Sequence, residues 1–326
     1  MHLGQFGSAM EHFERALLLY DPERHRDDAF LYAQNPGVAM RCFAAWSRWV
    51  LGQSDQALEP MKEALDLARE LSEPHGLAHA LFFAATLHQL RREAESALRL
   101  AEEAIAISAE HGLVLYQAMA TIIRGWAVIE RERHHASIDG VQREVLIDEI
   151  SRGIADHRAT GAEVLCPHFL ALLVESLSGS GQTERQLSLL DEALSLADRT
   201  GEKFYQAELY RLKGDALLIR ARDSRRETIS LAATGGGAVL ESESGISAQA
   251  EACFHESLKI ARRQGAKSWE LRAAVSLARF YKERSGREEA NKSEDVIRLL
   301  TQIHACFSEG TDTMDLREAR DLLTDA

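Results

Sequence analysis

The stretch Phe204–Ala221, FYQAELYRLKGDALLIRA, decides how this chain is read. It has the composition of a helix, yet Gly214 sits inside it, where glycine costs about 1 kcal/mol relative to alanine. The Lys213-Gly214 pair invites comparison with a phosphate-binding loop. No G-x-x-x-x-G-K-[ST] surrounds it, however, and no strand precedes it. The reading that remains is steric: a missing side chain lets a second helix approach closely. Gly214 is the fifth residue of Tyr210–Leu217, and five other segments can be aligned on it: Arg41–Arg48, Leu81–His88, Thr121–Val128, Leu170–Leu177 and Ala274–Tyr281. Their fifth residues are Ala45, Ala85, Gly125, Val174 and Ala278, so the position is small in five of six.

Each of these segments is followed by a second stripe with a small residue, a large one four later and a small one three further on. It is clearest in Ala9–Ala16 (AMEHFERA), Ala57–Ala64 (ALEPMKEA) and Ala97–Ala104 (ALRLAEEA). Looser copies are Leu146–Gly153, Gln186–Ala193, Ala250–Ser257 and Val296–Ile303. Spacings of three and four put one face of a helix against a neighbour. The alternation of the two segment types is the pattern of a tetratricopeptide repeat. Stripe starts at 57 and 97, and at 146 and 186, differ by 40 residues, against a usual period of about 34. Each unit therefore carries one or two extra helical turns. Gly4, Gly52 and Gly181 stand five residues before their stripes, and Pro74, Gly112, Gly161, Gly201 and Gly265 close the second helices.

The expected architecture is an all-α right-handed superhelix, an α-solenoid of about six such hairpins forming one unit over residues 1–326. Asp312–Ala326 is expected to be a C-terminal capping helix that covers the last apolar face. Two insertions, about 131–144 and about 222–246, are read as loops; the second is rich in Gly and Ser. The first hairpin is incomplete, since Ala9–Ala16 has no first helix before it. That raises the expectation that the chain is the C-terminal part of a larger polypeptide.

Composition narrows the role. With 38 basic and 51 acidic residues the net charge is −13, which opposes unspecific binding to nucleic acid or anionic lipid. Cys42, Cys166, Cys253 and Cys306 form no C-x-x-C pair, and a reducing cytoplasm suits them. The most apolar run, Gly112–Ile129, is broken by Gln117 and Arg124, so no membrane span is expected. His75 and His79 lie four apart, but no Glu follows His75 as H-E-x-x-H requires and no third ligand has clear spacing. Cys166 precedes Pro167 and His168, but a thiol nucleophile needs a separately oriented base. His134 and His135 read as part of a solvated loop. Neither a metal, a cofactor nor a catalytic set is expected.

Several runs are more specific than a generic repeat: YAQNPGVAMRCFAAWSRWVLGQSDQAL from Tyr32, PHFLALLVESL from Pro167, TGEKFYQAELYRLKGDALL from Thr200 and QAEACFHESLKIARRQGAKSWELRAAVSLARFY from Gln249. With HRATGAE from His157 and FSEGTDTMDLREARDLL from Phe307 they resemble the C-terminal tetratricopeptide region of large bacterial signalling proteins. Those proteins carry a class III adenylate/guanylate cyclase domain or a DNA-binding domain, followed by a predicted ATPase module. The resemblance implies a sensing or docking arm. Neither the cyclase carboxylate segments nor an ATPase phosphate loop is present, so those activities are not implied for this chain.

In such arrays the first helices line a concave groove that holds the partner. By that pattern the groove would receive Trp46 and Trp49, then His79, Thr86 and Gln89, then Trp126, and then His168 and Glu175. Glu208, Arg211 and Asp215 follow, with Arg272, Arg279 and Lys282 last. The groove would be aromatic at its N-terminal end and charged at its C-terminal end. Aromatic burial supplies about 1.5–3 kcal/mol per side chain, and Arg or Lys could hold a carboxylate. Glu208, Arg211 and Asp215 could equally pair along one helix. The expected function is a non-enzymatic scaffold for a protein or peptide partner in the groove, with an upstream cyclase or ATPase domain of the same polypeptide as a further partner. The alternative is a small-ligand sensor of such a protein.

Overall fold

Asn35 and Pro36 open the first hairpin. The Asn35 side chain accepts the backbone N–H of Gly37 at 2.9 Å, and Pro36 takes the first helical position, where no N–H is needed. From there the described residues are mostly helix. The computed structural model describes residues 1–25, 34–133, 139–234, 243–284 and 287–325. Among the described residues there is no strand.

A leading helix α1 (Phe6–Leu19) precedes six hairpins. They are α2 (Pro36–Val50) with α3 (Leu58–Leu71), α4 (Pro74–Leu90) with α5 (Ala94–His111), and α6 (Val114–Arg133) with α7 (Gly140–Ala159). Then come α8 (Cys166–Ser176) with α9 (Thr183–Thr200), α10 (Gln206–Thr234) with α11 (Glu243–Gln264), and α12 (Lys267–Lys282) with α13 (Arg287–His304). A last helix, α14 (Met314–Thr324), caps the series. The fold is an α-solenoid, as the alternating stripes require.

The stripes are its core. Ala57, Met61 and Ala64, Ala97, Ala101 and Ala104, and Leu190 and Ala193 are all at most 2% exposed. Gly214 is explained by Phe254 of α11: a Cβ added to the glycine would stand 2.5 Å from the buried ring. The α6–α7 crossing uses the same device twice. A Cβ on Gly125 would meet Ile150 at 2.5 Å, and one on Gly153 would meet Ile122 at 2.8 Å.

The two insertions need correction. Residues 222–234 are helical and belong to α10, and α11 already begins at Glu243. RDSRRETISLAAT contains no Gly or Pro, so nothing stops the helix before the glycine run at 235–237. Ile246, placed in the loop by sequence, is 1% exposed. Likewise α6 runs to Arg133, and α7 starts at Gly140 with Asp139 capping the N–H of Gln142 at 2.8 Å. What remains of the two loops, 134–138 with His134 and His135, and 235–242, lies outside the described residues.

The array closes on itself. Trp46 of α2 stacks on Phe204 at 5.4 Å, and Phe204 meets Phe6 edge-on at 6.2 Å. Trp49 meets Trp269 of α12 at 4.7 Å, and the Ser268 hydroxyl donates to the Trp49 carbonyl at 2.5 Å. The Lys203 N–H donates to the His2 carbonyl at 2.6 Å. Beyond α13, Glu309 accepts the backbone N–H groups of Asp55 and Gln56 at 3.0 and 3.1 Å. Asp55 in return accepts that of Gly310 at 2.9 Å. The first hairpin is thereby clasped to the fifth, the sixth and the cap.

The steric role of Gly214 gives a measurable outcome. Gly214→Ala gains about 1 kcal/mol of helix propensity but overpacks against Phe254. A net loss of about 1–3 kcal/mol is expected in urea unfolding. Placing the alanine in a Phe254→Leu background should recover part of that loss, and a neutral or stabilising Gly214→Ala would refute the close crossing.

Candidate functional site

Closure decides which predicted groove residues remain reachable. Trp46, Trp49, His79 and His168 are 0–3% exposed and belong to the core, and Thr86 is fully buried. The groove expectation is corrected at these positions: Phe204 and Tyr205 cover Trp46 and His168, Trp269 of α12 covers Trp49, and His79 is packed among Phe43, Phe83 and Tyr116. Lys282 lies on the exterior, paired with Asp325 at 3.4 Å. The remaining eight predicted residues, Gln89, Trp126, Glu175, Glu208, Arg211, Asp215, Arg272 and Arg279, converge on one recess of about 180 Å³. It lies where the first helices α6, α8, α10 and α12 face the C-terminal helix α14.

Ion pairs order its walls. Arg211 grips Glu208 with two hydrogen bonds of 2.8 and 2.7 Å and reaches Asp215 at 2.5 Å. Arg272 binds Asp315 at 2.8 Å, donates to the Leu90 carbonyl at 2.6 Å and lies 3.5 Å from Glu208. Its guanidinium also sits over the rings of Trp49 and Trp269, at 5.3 and 5.2 Å from their centroids. From the opposite side Arg92 binds Glu318 at 2.8 Å, and Arg279 binds the same carboxylate at 3.0 Å. Arg133 pairs with Glu130 at 3.1 Å and donates to the Glu175 carbonyl at 3.0 Å.

Two neighbouring carboxylates are driven in opposite directions. Burial alone would push Glu208 up, but the Arg211 charge and hydrogen bonds, helped by Arg272, hold it below the usual carboxylate range. Glu175 is raised by burial and by the Glu208 charge; the Trp126 indole N–H, 2.7 Å from its Oε2, opposes this only in part. Among the described residues Glu175 makes no ion pair, whereas every other carboxylate of the recess does.

Sequence reasoning missed Arg92, Glu130, Arg133, Asp315 and Glu318. Arg92 carried a legible signal. It stands five residues before the Ala97 stripe, where Gly4, Gly52 and Gly181 stand in other repeats, and it holds φ at +61°. A left-handed conformation costs a residue with a Cβ roughly 1–2 kcal/mol, a cost set here against the Arg92 ion pairs with Glu318 and Asp315. Asp315 and Glu318 were legible only as three apart on one face of the capping helix.

The other candidates have structural roles. The Nδ1 of His79 lies 3.1 Å from the Gln34 amide and 3.2 Å from the Tyr116 hydroxyl, while His75 packs edge-on to the Tyr116 ring at 5.0 Å. Among the described residues no group of three or more His, Cys, Asp or Glu is placed to hold a metal ion. Cys166 does have a histidine neighbour, His157 Nδ1 at 3.5 Å, which sequence spacing did not flag. Both are fully buried, and burial pushes the thiol up, away from the nucleophilic thiolate. Among the described residues no helix is long and apolar enough to cross a membrane.

Comparison with known proteins adds little chemistry. No family model matches the chain. It is 22% identical over 230 residues to the uncharacterized protein R02095 of Rhizobium meliloti (strain 1021), an alignment covering 69% of this chain and 21% of that one. The match thus spans about a fifth of the relative's length. A crystal structure of BtubC (BKLC) from P. vanneervenii aligns with 79% of this chain and 91% of that one, at 16% identity and a TM-score of 0.44.

The buried imidazoles give a pH dependence with a definite sign. Burial lowers His79 and His168 from 6.5 to about 3 and His157 to about 4. Their stabilising neutrality is intact above pH 6.5 and is lost as the unfolded chain takes up protons below it. Glu202, raised by burial to about 7, works the other way between 4.5 and 7. Three protons gained by the unfolded chain against one held by the fold leave two. These groups then lower stability by about 2.7 kcal/mol per pH unit between roughly pH 6.5 and 4.5. Urea unfolding at pH 7, 6 and 5 checks this; a flat profile contradicts neutral buried imidazoles.

Proposed function

We propose that this chain is a non-enzymatic sensor module of a longer bacterial signalling polypeptide, and that it takes a small polar ligand in the recess between α6, α8, α10, α12 and α14. The observation that carries this reading is convergence: side chains from distant hairpins line one concave polar recess, while much of the groove an extended peptide would need is filled by the protein's own aromatic residues. Small-ligand sites are concave, mostly pre-formed and few per protein. At about 180 Å³ the recess is smaller than the roughly 300–1,000 Å³ of drug-sized sites.

The chemistry favours recognition over turnover. Among the described lining residues there is neither Cys nor His. Glu208, the carboxylate held ionised, is 1% exposed and clamped by Arg211, so it cannot reach a substrate. The resemblance to the helical arm of cyclase- and ATPase-bearing signalling proteins supports the setting in a longer polypeptide. So does the alignment with a fifth of a much longer relative. Any catalytic head, cyclase or ATPase, belongs to that polypeptide and not to these residues.

A thermal-shift screen of the purified chain against small polar metabolites tests the reading. A ligand that binds only the folded state stabilises by about 2.7 kcal/mol at a hundredfold excess over its Kd. The expected outcome is a rise in Tm for a subset of compounds, abolished in a Trp126→Phe, Arg279→Ala double variant, with no turnover of ATP or GTP. Turnover of either nucleotide, or a shift unchanged in the double variant, would overturn it.

A further inference from the structure

Charge accounting in the recess identifies the ligand class. Its described lining holds six carboxylates, Glu130, Glu175, Glu208, Asp215, Asp315 and Glu318, against five arginines, Arg92, Arg133, Arg211, Arg272 and Arg279. With every group ionised, six less five leaves one negative charge, although burial raises both Glu175 and Asp215 and so favours their neutral forms. The pairing is more telling than the sum. Each arginine already has a carboxylate partner: Arg92 and Arg279 share Glu318, Arg133 holds Glu130, Arg211 holds Glu208 and Asp215, and Arg272 holds Asp315. An anionic ligand would have to break one of these pairs and strand a half-buried carboxylate, which is costly.

Glu175 is the complement of that saturated wall. Among the described residues its carboxylate takes one side-chain hydrogen bond, from the neutral Trp126 indole N–H at 2.7 Å, and forms no ion pair, although the Arg211 and Arg272 charges act on it from across the recess. Its backbone is fixed in α8, between buried Val174 and Ser176, and its carbonyl is held by Arg133. The side chain therefore points into the recess from a rigid element. An unpaired carboxylate close to Glu208 costs folding stability, and the free protein gains nothing visible in return. A carboxylate held on a rigid element without an ion-pair partner can take its counter-charge from a ligand.

We propose that the recess binds a small organic cation, an alkylammonium or alkylguanidinium group, with Glu175 as its counter-charge and the Trp126 indole fixing the carboxylate's orientation. The inference rests on the sensor reading above and names its ligand class. A charge-assisted bond to Glu175 forms without disturbing the arginine pairs, and the cation restores neutrality to the recess. The volume of about 180 Å³ suits a cationic head group with a short chain.

Isothermal titration calorimetry on the whole chain, with agmatine, n-propylguanidine, n-butylamine, glutarate and the tripeptide Gly-Arg-Gly as probes, provides the test. Saturable binding of at least one of the three free cations is expected, with glutarate silent and the tripeptide weaker. Glu175→Gln keeps an acceptor for the indole and removes the charge. It should weaken cation binding at least about tenfold, the equivalent of 1.4 kcal/mol, while the Tm of the free protein stays equal or rises. That combination is one a purely structural role for Glu175 would not produce. Glutarate binding with the cations silent would overturn the cation assignment and leave the sensor reading standing. Tighter binding of the tripeptide, or unchanged affinity in Glu175→Gln, would overturn the assignment of a free cation to Glu175. Silence from all five probes here and from the metabolite screen would sink both.

Discussion

The contact between the first hairpin and the fifth and sixth is the constraint from which the rest follows. In an open solenoid each repeat touches only its neighbours, and stability is close to a sum of local pieces. Here Trp46, Trp49, Phe204, Tyr205 and Trp269, all at most 2% exposed, form an aromatic axis joining residues more than 150 positions apart. The rings meet edge-on or offset, at 4.7 Å for Trp49–Trp269 and 4.9 Å for Tyr205–Trp269, which adds to the gain from their area alone. Each such ring brings about 1.5–3 kcal/mol of burial, so losing the closure would expose several at once. The described array is therefore not a chain of independent units.

Closure also explains why a polar recess survives beside an apolar axis. The two ends of the array meet through Arg272, whose guanidinium covers Trp49 and Trp269 on one side and faces Glu208 and Asp315 on the other. Arginine suits this position because its plane stacks on aromatic faces while its edge keeps five donors. Buried charge networks are weak sources of stability but costly to break, and they fix geometry. Arg92, Arg211 and Arg279 extend the pattern around the opening, so the walls are set by pairs that tolerate little rearrangement.

Sequence made the local order legible. The period of three and four, the small fifth position and the turn glycines are properties of one hairpin, and hairpins are built from contacts close along the chain. Gly214 could thus be assigned to close packing before Phe254 was known to be its neighbour. The inward faces were also legible, because eight of the fourteen predicted groove residues reach the recess. The closing of the array was not. Superhelical radius comes from small rotations between successive repeats, and no single residue encodes their sum. Trp46 and Trp49 were placed on the right face and then buried by Phe204 and Trp269, which a linear pattern cannot bring back to them, whereas His79 is buried by the adjacent Phe43, Phe83 and Tyr116. The insertions failed for a different reason: weak apolar content was read as a loop, whereas residues 222–234 extend a helix begun at Gln206.

The recess and the closure share their atoms, and this ties recognition to shape. Glu175 belongs to α8 and Trp126 to α6, while Glu208, which raises Glu175, is clamped from α10 and touched by Arg272 of α12. A change in the separation of α6 and α12 would alter the field at Glu175, and a charge placed against Glu175 would alter the balance around Glu208 and Arg272. A ligand shifts a conformational equilibrium only by its differential affinity for the two states. Under the sensor reading proposed above, a molecule seated in the recess would favour the arrangement that brings the arginine-paired wall and Glu175 together, so recognition would act through the same side chains that join the first hairpin to the last.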